Sequence, residues 1–172
     1  MAQQYFVMGI GGTGMRCIES LIHLCGMGMF DDTDIYLLAL DTDKDNGNFA
    51  RLKEVKESYT KSKGTDESQR TALKDTFFSA NIHYYEFSPN YEEKSDFRSV
   101  FNYGDTKFNN PEQTSIADLV LTENVETFNL RHGYRAQTHL GSMMMYHSIL
   151  EAARSNGNNQ LKAYVQKLIQ AS

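Results

Sequence analysis

Six residues near the N-terminus, Gly9-Ile10-Gly11-Gly12-Thr13-Gly14, restrict the fold more than any other part of the chain. They follow an apolar run, Tyr5-Phe6-Val7-Met8, and lead into a helical pattern that lasts to about Leu24. Gly9, Gly11 and Gly14 have the G-x-G-x-x-G spacing, which has mechanical meaning when it lies between a strand and a helix. Residues without Cβ atoms let backbone N–H groups close on an anion, and the start of a helix adds partial positive charge. The stretch therefore predicts a site for a nucleotide phosphate. It is not a Walker A loop, because no Lys-Ser/Thr pair follows the glycines.

The next elements extend this unit. Ile18, Leu21, Ile22 and Cys25 recur at i, i+3, i+4 and i+7, with Cys17 and Leu24 widening the stripe. The helix is expected to end near Gly26 or Gly28. Ile35-Tyr36-Leu37-Leu38-Ala39-Leu40 shows no alternation, as in a strand covered on both faces of a parallel sheet. Strand, helix and strand make a βαβ unit with a right-handed crossover. The fold class expected is α/β, a Rossmann-like three-layer domain with a mainly parallel sheet.

The chain has 172 residues, enough for one domain with a real core, and few prolines to mark a linker. A net charge of −5 gives no support to a nucleic-acid or anionic-membrane surface. No run is long and apolar enough to span a bilayer and no signal sequence is visible, so a cytoplasmic protein is expected. Cys17 and Cys25, eight apart on one helix, are too distant to bridge and read as buried thiols. Residues 49–132 read as an insertion. Within it, Ser58–Ser68 is expected to be a polar, mobile loop, Gln69–Ser79 a helix, Ile82–Phe87 a strand and Ser95 the cap of a short helix. Ser115–Leu121 and Thr122–Leu130 read as further helices. Near the C-terminus, Leu140, Met143, Met144, His147, Leu150 and Ala153 share a helical face, and Leu161, Val165, Leu168 and Ile169 form the stripe of a last amphipathic helix.

Two further loops bear on chemistry. Asp41, at the end of the second apolar strand, stands where a carboxylate holds a ribose in dinucleotide-binding proteins. Its companions Asp43, Asp45, Asn46 and Asn48 suit Mg²⁺ with its waters, or an acidic turn held by side-chain hydrogen bonds and closed by Asn46-Gly47. Gly133-Tyr134-Arg135-Ala136-Gln137-Thr138-His139-Leu140-Gly141 is a polar stretch entering a helix, with Arg135 its natural phosphate partner. His132 and His139 read as loop residues, and no nucleophile with a base is visible.

In this order, the three loops resemble the nucleotide-binding half of the tubulin/FtsZ superfamily, especially its tubulin-like bacterial members. Gly9–Gly14 resembles that family's first phosphate loop, and Asp41-Thr42-Asp43 with Asn46-Gly47-Asn48 its second. Gly133, Ala136, Leu140 and Gly141 match the spacing of its third. The resemblance implies that Gly11, Gly12, Thr13 and Gly14 contact phosphates and that Ala136–Gln137 approaches the γ-phosphate. It places Arg16 at the base or sugar. The implied ligand is GTP, with Mg²⁺ and Asp43 as its metal residue, and little hydrolysis by this chain alone. The family's G-G-G-T-G-T/S-G loop does not occur. The resemblance therefore implies an incomplete domain, either the N-terminal part of a longer chain or a self-associating reduced one.

Two other resemblances stay open. Gly9–Gly14, Asp41-x-Asp43 and Asn48-x-x-Arg51 are similar to the adenylating domains of the ubiquitin-activating and ThiF-like family, which use ATP, with the arginine on its phosphates. A plain NAD-type Rossmann domain accounts for Gly9–Gly14 and Asp41 but leaves Gly133–Gly141 idle.

Overall fold

The computed structural model describes residues 3–44, 46–64, 77–89, 138–154 and 159–172. The chain divides into two compact units. One holds Met1–Asp41, Asn46–Ser88 and Asn156–Ser172, and the other holds Thr42–Asp45 and Pro89–Ser155.

The first unit is α/β. Three parallel strands, β1 (Gln4–Ile10), β2 (Asp34–Leu40) and β3 (Asn81–Phe87), stand in the order β1-β2-β3. Helix α1 (Gly11–Gly26) connects β1 to β2, and α2 (Asn48–Lys63) follows β2. β2 lies between the other two strands, and Ile35–Leu40 is buried throughout, as its unbroken apolar sequence requires. Successive side chains point to opposite faces of the sheet. Val7, Ile35, Leu37, Ala39, Ile82 and Tyr84 face the core formed with Met15, Ile18, Ile22 and Cys25 of α1 and Phe49, Leu52 and Tyr59 of α2.

On the opposite face, Phe6, Tyr36 and His83 share one register row and stack at 4.7 and 4.5 Å between ring centroids. The last helix, here α4 (Gln160–Ala171), covers this row by placing Tyr164 edge-on to Phe6 and Tyr85. Asn159 caps it by accepting from the Lys162 N–H. Its inward residue is Tyr164, whereas Val165, Leu168 and Ile169, expected to be buried, are exposed.

Other expectations are corrected in the same way. Cys25 is buried, and burial pushes its thiol up to about 11, but Cys17 is exposed. The polar loop expected over Ser58–Ser68 is helical as far as Lys63. Tyr59 Oη donates to the Ala80 carbonyl at 2.8 Å, and Lys63 Nζ donates to the Ser79 and Ala80 carbonyls and Asn81 Oδ1. These bonds tie a weakly patterned helix to the start of β3. Of the helix expected at Gln69–Ser79, only 77–79 is described, and it is not helical. The helices expected near Ser95, Ser115–Leu121 and Thr122–Leu130 lie outside the described residues.

In the second unit the described helix, here α3 (Thr138–Arg154), buries Leu140, Met144 and Ser148 at a spacing of four. Ser148 Oγ donates to the Met144 carbonyl, which satisfies the buried hydroxyl within the helix. Leu150 and Ala153, expected on the inner face, are exposed. Among the described residues, no helix is long and apolar enough to cross a membrane.

Candidate functional site

Two of the three expected loops meet at the carboxyl end of the sheet, inside the first unit. The glycine loop has no spare room where strand meets helix. A Cβ on Gly14 would lie 2.7 Å from the carbonyl carbon of Gly9, and one on Gly9 would lie 2.7 Å from the Gly14 carbonyl oxygen. Both contacts are with backbone, so no side-chain movement relieves them. Gly11 has φ +67°, in the left-handed region, and open space where a side chain would stand. These features seat the first turn of α1 directly on the end of β1.

The first turn of α1 has no side-chain cap. Ile10, in the N-cap position, is extended and offers no capping side chain, and the first turn carries no acidic residue. A helix start with positive potential and no internal acceptor is the arrangement that takes a phosphate. Thr13 and Arg16 are exposed on α1, Arg16 one turn beyond Gly12.

The second loop is built differently. Asp41 is 8% exposed, and its backbone N–H donates to the Phe87 carbonyl at 3.3 Å. Asn46 Nδ2 donates to Asp41 Oδ2 at 3.1 Å, while Asn46 Oδ1 accepts from the Asn48 N–H at 2.9 Å. One side chain therefore joins the end of β2 to the start of α2. Gly47, at φ +76°, makes the intervening turn. Asn48 then reaches the first loop, since a Cβ on Gly12 would meet Asn48 Nδ2 at 2.8 Å. The starts of α1 and α2 converge at this contact, and neither first turn carries an acidic residue.

Asn46, expected as part of a turn held by side-chain hydrogen bonds, is the strut of this loop. Its signal was present in the sequence as Asn-Gly-Asn, where an Asx side chain bonds two residues onward. Ser88, next after β3 and alongside Asp41, has a buried Oγ with no hydrogen-bond partner. Nothing in the sequence marked it.

Asp43, the expected Mg²⁺ residue, is half-buried and belongs to the second unit. Among the described residues, no group of three His, Cys, Asp or Glu side chains could hold a metal ion. The described donors thus do not build a cation cage of their own. Gly133, Arg135, Ala136 and Gln137, the third loop, lie outside the described residues, as does Asp45.

Arg51, the phosphate arginine of the adenylating resemblance, is engaged elsewhere. Its Nη2 and Nε donate to Glu19 Oε1 at 2.7 and 3.1 Å, linking α2 to α1. Glu19 is five residues past Gly14, about 7.5 Å farther along the helix. That hydrogen bond, helped by the charges of Arg51, His23 and Arg16 and opposed by burial, holds the Glu19 carboxyl below its ordinary range. No family model, curated protein or solved structure matches the chain.

Proposed function

We propose that this chain binds a purine nucleotide, GTP foremost, by cupping its phosphates on the start of α1 within a Rossmann-like, tubulin/FtsZ-like domain. One observation carries the reading: the Gly9–Gly14 backbone contact sets an uncapped helix start, with Gly11 open beside it, at the carboxyl end of β1. Side chains could not pack so closely, and a simple turn would not need this apposition. Asn48 is the side chain nearest the phosphates, and Gly12 and Thr13 supply backbone N–H groups. The resemblance implies a contribution from the third loop, Gly133, Arg135, Ala136 and Gln137, which lies outside the described residues. Mg²⁺ enters on the phosphates, and the resemblance alone names Asp43 as its carboxylate. The chain binds without appreciable turnover on its own, and it self-associates.

The alternatives fit less well. An adenylating enzyme needs Arg51 on its ATP, and Arg51 is spent on Glu19. A dehydrogenase needs an open Asp41 for the ribose, and Asp41 is largely covered and bonded to Asn46.

The test is a panel of GTP, ATP and NAD, with and without Mg²⁺, read as a shift in melting temperature. At a hundredfold excess over the dissociation constant, a ligand adds about 2.7 kcal/mol, or roughly 5–10 °C for a domain of this size. GTP with Mg²⁺ is expected to give the largest shift, and Gly12→Val, which displaces Asn48 into the cup, to abolish it. No shift with any nucleotide, or an undiminished shift in Gly12→Val, would sink the reading.

A further inference from the structure

The two edges of the sheet are finished differently. The Asn81 N–H donates to the Thr33 carbonyl, so odd-numbered residues of β3 face β2 and even-numbered ones present their backbone outward. One outward amide, that of Glu86, is closed by Gln160 Oε1 at 2.7 Å, and the Glu86 side chain is held by Lys53. Charge and covered amides are what keep an edge strand from pairing. β1 has neither. Its sequence, QYFVMGI, carries no charge and no proline. The Asp34 N–H donates to the Gln3 carbonyl, so Gln4, Phe6 and Met8 turn their N–H and C=O groups outward, and Ile10 its N–H, its carbonyl opening helix α1. No described residue pairs with them. Tyr5, Met8 and Ile10 are exposed at 38, 50 and 65%.

We infer that the outer edge of β1 is a self-association surface whose occupant is a second copy of this chain, adding its own β1 antiparallel about a two-fold axis at Val7. This names the surface for the self-association proposed above and does not depend on nucleotide binding. The strand is self-complementary in that register, the one in which Gln4–Ile10 overlaps itself completely. Phe6 and Met8 of the two copies become partners on one face, a favourable sulfur–aromatic pairing. Tyr5 stands opposite Gly9 and Val7 opposite Val7 on the other. Phe6 and Met8 fall into the fully hydrogen-bonded pairs of an antiparallel ladder, and Gln4 opposite Ile10 keeps the bond from the Ile10 N–H, the Ile10 carbonyl being held by α1. An uncharged edge also lets two chains of net charge −5 approach without direct repulsion.

Helix α1 fits the same arrangement. Met15, Ile18, Ile22 and Cys25 face the sheet and Glu19 reaches Arg51 of α2, so the flank turned away from α2 carries Cys17, Leu21 and Leu24. This apolar flank lies on the β1 side. Two α1 helices, each seated over β1 and β2, would stand roughly two strand spacings apart, about 9–10 Å, an ordinary distance for packed helices. Val7 lies about 7 Å below Gly9 along the strand, or about four to five residues along the helix from Gly14. Cys17 and Leu21 therefore flank the axis.

The experiment is light scattering of the full chain over a concentration series without nucleotide, with a short bis-maleimide to cross-link Cys17 between copies. A dimer and a Cys17–Cys17 cross-link are expected. Met8→Lys puts charge on the edge, and Met8→Pro removes an outward donor while leaving the bonds to β2 intact. Each should weaken dimerisation at least about tenfold and suppress the cross-link. A monomer at every concentration, a dimer indifferent to both substitutions, or open-ended aggregates without the Cys17 cross-link would overturn the inference. A failed nucleotide panel would leave it standing, because no nucleotide enters the measurement.

Discussion

The glycine loop and the acidic loop meet at Gly12 and Asn48, yet they keep their shapes by opposite means. The first is fixed by the absence of side chains, with Gly9 and Gly14 in backbone contact. The second is fixed by what a side chain does, with Asn46 bonded at one end to Asp41 and at the other to the Asn48 amide. The first should tolerate no added carbon at Gly9 or Gly14. The second should tolerate changes of shape but no loss of its amide. The contrast extends to polarity: no N-cap side chain closes the first turn of α1, whereas the side-chain loop uses much of its polarity on itself.

The largest effect is expected at the cradle. Gly14→Ala adds a methyl against the backbone of Gly9, and overpacking that cannot be relieved costs about 3 kcal/mol. In a chain of this size that lowers the melting temperature by roughly 6–12 °C. A loss under about 1 kcal/mol would mean that strand and helix are not so closely apposed. Asn46→Ala comes next. It strips a partly buried carboxylate of a donor and α2 of its first-turn acceptor, for about 1–2 kcal/mol by urea unfolding. If Asn46→Ala cost as much as Gly14→Ala, the two loops would not differ in kind.

The contact between the loops gives a smaller signal. Gly12→Ala favours the helix by up to about 1 kcal/mol but pushes on the Asn48 amide, a movable group. The single change should be near neutral, and Gly12→Ala combined with Asn48→Ala should recover the gain. Strict additivity in that double-mutant cycle would show that the two loops do not touch.

The same contrast explains what could be read from the chain. β1, α1 and β2 were legible because glycine spacing, a helical stripe and an unbroken apolar run all act locally. Helix α2 was not. Asn48–Lys63 is rich in charge and ends in Ser58-Tyr59-Thr60-Lys61-Ser62, which reads as loop. Its last turns are held by Tyr59 and Lys63 bonding to Ser79–Asn81, partners that no local pattern announces. The stripe of α4 misled for a related reason, since Tyr164 answers an aromatic row assembled from three strands. At the site, the glycines announced themselves, Asn46 was visible only as part of a polar cluster, and the engagement of Arg51 by Glu19 required two helices to be packed side by side.

That engagement supplies the smallest expected effect, and it separates two readings of the site. The folded-state value of Glu19 is lowered chiefly by the hydrogen bond from Arg51. A carboxyl lowered on folding contributes stability that is present above its unfolded value and is lost as pH falls through the folded one. Arg51→Gln should therefore be slightly less stable than the parent at neutral pH and indistinguishable from it once the carboxyl is protonated. Urea unfolding at about pH 7 and again below the carboxylate range measures the difference. Both loops stay intact in this variant, so a GTP shift should survive it. If Arg51→Gln removed an ATP shift instead, the arginine would leave Glu19 to meet the phosphates, and the adenylating reading would displace the tubulin-like one.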